Sequence, residues 1–166
     1  MLIYHPAFDA YHCTIRIVAL LVDCKRLDVE KARILDFYLA FPSAMQSMRL
    51  PAELASLRAM LRQMDNVYRD PVSPKRTFAE MRHVQLAALG CLAAADIIDG
   101  AKLPSGIVER TNKPLPSKLE AAITNFMADE NEVMQLLATK VAEMPTAGPN
   151  GLKDRSGLLE YRYDAV

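Results

Sequence analysis

The sequence predicts a mainly α-helical, single-domain fold with a small two- or three-stranded β element that uses a C-terminal strand. Three observations predict it. Apolar residues recur at three- and four-residue spacings in successive stretches between Pro6 and Met144, the period of a helix face. Near the end, Leu159, Tyr161 and Tyr163 alternate strictly with Glu160, Arg162 and Asp164, the period of a strand. The chain has 166 residues, 51% hydrophobic and 24% charged, a length and composition that suit one packed core.

Residues 1–70 read as a trihelical unit. In the first helix, Pro6 stands at an opening position, and Phe8, Tyr11, Ile15, Val18 and Val22 form one buried face. Ile17, Ala19, Leu20 and Leu21 fill the rest of the circumference and place this helix inside the fold. Asp28 is the N-cap of a second helix, with Glu30 in its first turn and an Ile34, Phe37, Tyr38, Phe41 stripe ending at Pro42. A third helix begins near Pro51, with Leu54, Leu57, Leu61 and Met64 inward and Arg58 and Arg62 outward.

Residues 71–144 hold the central and C-terminal helices. Pro71 and Pro74 break regular structure. Phe78, Met81, Val84, Ala88 and Cys91 then face one way, and Ala87, Gly90, Ala93, Ala94 and Ala95 leave room for a second backbone. This reads as a central helix closed by Asp99-Gly100. Pro104, Gly106, Pro114 and Pro116 mark a linker with one strand-like piece at residues 107–110. Ser117 and Glu120 form a capping box for a last helix that pauses near Asp129. Residues 145–166 carry the turn cluster Gly148-Pro149-Asn150-Gly151 and the terminal strand, whose internal partners are residues 2–4 or 107–110.

Composition excludes several classes. No apolar run reaches the roughly 18–20 residues that cross a bilayer, so no membrane role is expected. Nothing in Met1-Leu2-Ile3-Tyr4-His5-Pro6 resembles a secretory leader, and a cytoplasmic location follows. Lys plus Arg equals Asp plus Glu at 20 each, so the whole molecule has no electrostatic pull toward nucleic acid. Charge is nevertheless segregated: between Arg49 and Arg82 seven basic residues face four acidic ones, and between Leu119 and Met144 five acidic residues face one basic.

The search for chemistry comes back empty. GxxxxGK[ST], GxGxxG, HExxH, GxSxG and paired CxxC are all absent, so no catalytic residue, cofactor or metal is expected and the chain is not read as an enzyme. Cys13, Cys24 and Cys91 sit among aliphatic residues and read as buried thiols. His5 and His12 with Asp9 and Cys13 invite a zinc reading, but Cys13 points about 100° away from His12 on a helix. Cys24 with His12 is a nucleophile and base without an orienting third group. Asp96 and Asp99 read as a solvated helix end. The candidate partner-binding residues are Arg58, Arg62, Lys75 and Arg76, a phosphate-contacting or simply solvated face, and Tyr161, Arg162, Tyr163 and Asp164, a strand that covers the core or adds to a partner's sheet.

The string Tyr4-His5-Pro6-Ala7-Phe8-Asp9-Ala10-Tyr11-His12-Cys13, then Arg33-Ile34-Leu35-Asp36-Phe37-Tyr38-Leu39 and Phe41-Pro42, resembles the small middle component of bacterial three-component ABC systems, the group associated with Lamassu-type anti-phage defence. Asn150-Gly151-Leu152-Lys153 and the segment from Gly157 to Asp164 resemble the end of the same proteins. The resemblance implies a winged-helix-related fold and a non-catalytic accessory subunit. Its implied partners are an SMC-like ABC ATPase subunit and an effector nuclease subunit, with DNA contact inside the complex left open. The alternative is a winged-helix DNA-binding regulator.

Overall fold

The structure, a computed structural model, describes residues 5–162. Pro6 opens a separate 3-10 turn (Pro6–Phe8), and Asp9 caps α1 (Ala10–Cys24) by accepting from the His12 amide at 3.0 Å. Residues 15–21 are all buried, as an all-round apolar helix requires, and α1 packs against α2, α4 and α5 at the centre of the fold. Left-handed Lys25 (φ 55°) turns the chain into β1 (Arg26–Asp28). Asp28 caps α2 (Val29–Ala40), accepting from the Lys31 amide at 2.7 Å. Residues 32–40 are buried on every side of α2, where Phe37 meets Tyr38, Phe41 and Phe78 at centroid distances of 5.4, 5.3 and 5.8 Å.

After Pro42 the chain runs through 3-10 turns (Pro42–Ser47, Ala52–Leu54) to the short α3 (Leu57–Gln63), in which only Leu61 is fully buried. The long α4 (Pro74–Ala94) buries Phe78, Met81, Val84, Gln85, Ala88, Leu89 and Leu92. It ends earlier than Asp99-Gly100. Asp96, not a glycine, takes the left-handed position (φ 56°), with its amide bonded to Ala93 O at 3.0 Å and the Ile97 amide to Leu92 O at 2.9 Å. Leu92 and Ile97 are both buried, the apolar pairing that fixes such a helix end.

β2 (Ile107–Glu109) runs antiparallel to β1 in the register Arg26 to Glu109, Leu27 to Val108 and Asp28 to Ile107. On its other edge the arm 97–99 folds back: Asp99 N bonds Glu109 O at 2.9 Å and Thr111 N bonds Ile97 O at 3.0 Å. Both edges of β2 are thus taken, so residues 107–110 do not pair with the described part of the C-terminal segment. Residues 158–162 form no strand, and Tyr163, Asp164 and residues 2–4 lie outside the described residues.

The order α1, β1, α2, α4, arm 97–99, β2, with β2 between β1 and the arm, is compatible with the winged-helix-related fold that the resemblance implies. α4 packs on α1 and α2, while α3 packs on the 3-10 turn Pro42–Ser47. Residues 1–70 do carry the three expected helices, α1, α2 and α3. Across α1 lies α5 (Ser117–Asp129); Pro116 holds its N-cap position, so the Ser117 and Glu120 capping box does not form. The chain bends at Glu130 into α6 (Asn131–Leu136), a π turn (Leu137–Val141) and α7 (Leu152–Ser156). One continuous apolar cluster joins all these elements.

Candidate docking surface

The inner stripe of α4 anchors the core, which leaves its opposite side open. Lys75, Arg76, Arg82 and His83 occupy the first part of that side, and Leu86, Ala87, Gly90, Cys91 and Ala94 the second. A Cβ added at Gly90 would meet nothing within 4 Å. Of the small residues, Ala87, Gly90 and Ala94 are exposed, Ala93 lies against Gly100, and Cys91 is exposed rather than buried.

Arg58 and Arg62 are exposed on α3, and Lys75 is exposed at the start of α4. Arg76 Nε pairs with Glu80 Oε1 at 2.9 Å on the surface, worth little in water. Arg62 and Lys75 bracket the connection 64–73, whose tip is folded on itself. Asn66 O accepts the amides of Arg69 (2.9 Å) and Asp70 (2.8 Å), Asp70 Oδ2 accepts the Asn66 amide (2.7 Å), and Asn66 Oδ1 accepts the Tyr68 amide (3.1 Å). Val67, Tyr68 and Val72 on this loop are exposed by 92%, 101% and 104%.

Tyr161 and Arg162 belong to a different cluster. Arg162 Nε lies 4.0 Å from Glu160 Oε1, and Tyr161 is half-buried. The Asp154 carboxyl is held below its ordinary range by the Asn150 amide first, then by Arg49 and the Tyr161 hydroxyl. Arg155 Nη1 donates to Arg49 O at 2.8 Å, which pins the tail to the segment before α3.

His5 and His12 line one cleft of about 290 Å3 with Arg16, Arg69, Phe126 and Glu130. Each has a structural partner. His5 Nδ1 accepts the Ala7 amide at 3.1 Å, which leaves Nε2–H to donate to Arg69 O at 3.3 Å, and His12 Nδ1 lies 2.9 Å from Asp9 Oδ1. Among the described residues no three of His, Cys, Asp and Glu cluster to hold a metal ion. Cys24 ends α1 with Sγ directed at Ala138 O (3.7 Å), about 18 Å along the helix from His12, so the two do not form a pair. Burial raises both the Cys24 and the Cys13 thiols. Asp99 accepts the Ala101 amide at 3.0 Å and faces Lys102, while Asp96 faces Lys113 at 3.8 Å.

Over residues 2–164 the chain matches the family described as ABC-three component (ABC-3C) system Middle Component 5. The chain belongs to that family. No curated protein and no solved structure matches it. A middle component is one part of a multi-component ABC system, which implies protein partners. Among its described residues no helix is long and apolar enough to cross a membrane.

Two features of this middle component escape the sequence reading. One is the full exposure of Val67, Tyr68 and Val72 on the loop 66–73. The other is a buried polar network: Arg16 Nε donates to Asp36 Oδ1 (2.7 Å), Gln85 Nε2 donates to Asp36 Oδ2 (2.8 Å) and Arg33 O (3.1 Å), and Arg33 Nε donates to Gln85 Oε1 (2.9 Å). The Arg33 guanidinium also lies 4.7 Å from the centre of the Phe78 ring. Its signal is single charges flanked by apolar neighbours, as in Ile15-Arg16-Ile17 and Leu35-Asp36-Phe37. The network ties α1, α2 and α4 into one body that presents the outer face of α4.

Proposed function

We propose that this middle component is a non-catalytic adaptor that holds an SMC-like ABC ATPase subunit and an effector such as a nuclease in one cytoplasmic complex of the Lamassu type. The observation that carries the reading is the outer side of α4. It is open along its length, basic in its first half, small and apolar in its second, and held on a rigid body. An apolar, shallow helix face beside unpaired cations suits a protein surface, since burying small side chains lets a partner element approach closely. Coupling would work by differential affinity: each 1.4 kcal/mol of preference for one arrangement of the ATPase changes the population ratio tenfold.

Co-expression of the full chain with its two companion components tests this. The expected result is a stable complex that Ala87→Arg weakens without lowering the melting temperature of the free chain. A chain that stays monomeric with both companions present sinks the reading. The winged-helix-compatible order of elements favours one second reading, a DNA-binding regulator using Lys75, Arg76 and Arg82. Base reading needs donors and acceptors along the helix, and Leu86, Ala87, Gly90 and Cys91 supply almost none. Duplex binding that weakens steeply with salt, in the absence of companion binding, would decide for it.

A further inference from the structure

We infer that the loop 66–73 is a pre-organised hook that inserts Tyr68 and Val67 into an apolar, carboxylate-rimmed pocket on a protein partner of the complex. The inference rests on the adaptor reading and adds the element and the chemistry of the contact.

Exposure is the first argument. Val67, Tyr68 and Val72 leave essentially their whole side chains in water, while 37 other apolar residues of the described chain are buried in the core. Leaving three such groups in solvent forgoes their burial, so a loop of this kind is better explained by a surface that covers it. Rigidity is the second. The Asn66 and Asp70 hydrogen bonds close the turn, and the bond from His5 Nε2 to Arg69 O fastens it to the segment before α1. A turn already fixed in shape loses little entropy on docking. Tyr with flanking Arg is also the composition of interface hot spots.

Charge identifies the occupant. Between Arg58 and Arg76 the chain carries five basic residues and two acidic ones, Asp65 and Asp70. Both carboxylates accept hydrogen bonds within the chain, Asp65 from the Gln46 side-chain amide and Asp70 from the Asn66 backbone amide, and keep their charge, so the stretch is net positive by three. Among the described residues the side chains of Arg58, Arg62, Arg69 and Lys75 make no ion pair or hydrogen bond. The hook is thus an apolar tip on a net-positive stretch of the chain, complementary to an apolar depression rimmed by Asp and Glu. A duplex would answer the cations but would leave Val67 and Val72 without apolar cover.

The test titrates the full chain with each companion component and, separately, with duplex DNA, and uses Tyr68→Ser with Val67→Ser as the hook variant. Neither side chain makes a fold contact, so unchanged thermal melting is the folding control. Loss of about 30-fold or more in affinity for one companion, with a smaller salt-dependent loss for Arg62→Glu with Lys75→Glu, is the expected result. If the hook variant binds both companions as the unaltered chain does, the hook is overturned and the adaptor reading stands. If the unaltered chain binds neither, both fall. If the hook variant loses affinity only for duplex DNA, a nucleic acid is the occupant and the protein pocket is wrong.

Discussion

Arg16 Nε and Asp36 Oδ1 meet at 2.7 Å where both side chains are almost wholly removed from water. Burial opposes the Arg16 charge, but the facing carboxylate outweighs it and raises the guanidinium's pKa. Removing one partner leaves the other charge buried and uncompensated. Asp36→Asn is therefore expected to cost about 3–5 kcal/mol of unfolding free energy. Adding Arg16→Met to it removes the stranded charge, while the new amide oxygen still accepts from Gln85. Urea unfolding should find the double variant more stable than Asp36→Asn alone; costs that simply add would refute the account.

The three thiols should separate by rate. Cys91 is exposed on α4, Cys24 is half-buried with a raised pKa, and Cys13 is buried with its thiol raised further by desolvation and by Asp36. The thiolate is the reactive form. With an aromatic disulfide reagent at pH 8, Cys91 is expected to react first, Cys24 more slowly and Cys13 only on unfolding. Simultaneous reaction of all three in the native protein would contradict the burial pattern.

What the sequence reveals depends on how local the cause is. Apolar spacing finds α1, α2, α4 and α5 because each buries one or more faces of its own helix. Asp28 is legible as a cap because its bond to the Lys31 amide spans three residues. The alternation from Leu159 to Tyr163 predicts a strand, but residues 158–162 form none, and β1 and the arm 97–99 already occupy both edges of β2, the expected partner. β1 is too short to show a period. Arg58, Arg62 and Lys75 are legible as surface by charge alone. Val67, Tyr68 and Val72 are not, since apolar residues read as core until the fold shows nothing packed on them.

Acid should act on the start of α1. The Asp9 carboxyl is held below its ordinary value of 3.8 chiefly by the His12 amide, then by the His12 ring. A lowered folded pKa means that the stabilisation is complete above 3.8 and fades as pH falls through the folded value. Asp9→Asn keeps an acceptor for the amide but not the charge. Its melting temperature should lie below that of the unaltered chain at pH 6, with the gap closing as pH drops below 3.8. A gap that is constant or widens toward acid would show that the Asp9 charge is not the stabilising element.

Gly90 separates folding from docking on α4. It sits inside the helix, exposed, with open space where a side chain would go, so alanine fits without strain. Alanine also restricts the unfolded chain, and Gly90→Ala should raise the unfolding free energy by about 0.5–1 kcal/mol in urea titration. A larger side chain fits the free protein equally well but not a partner backbone lying against this face. Gly90→Gln is therefore expected to fold as stably as the unaltered chain yet bind its companion component more weakly. Destabilisation by Gly90→Ala would mean that the outer face of α4 is already covered within the chain itself.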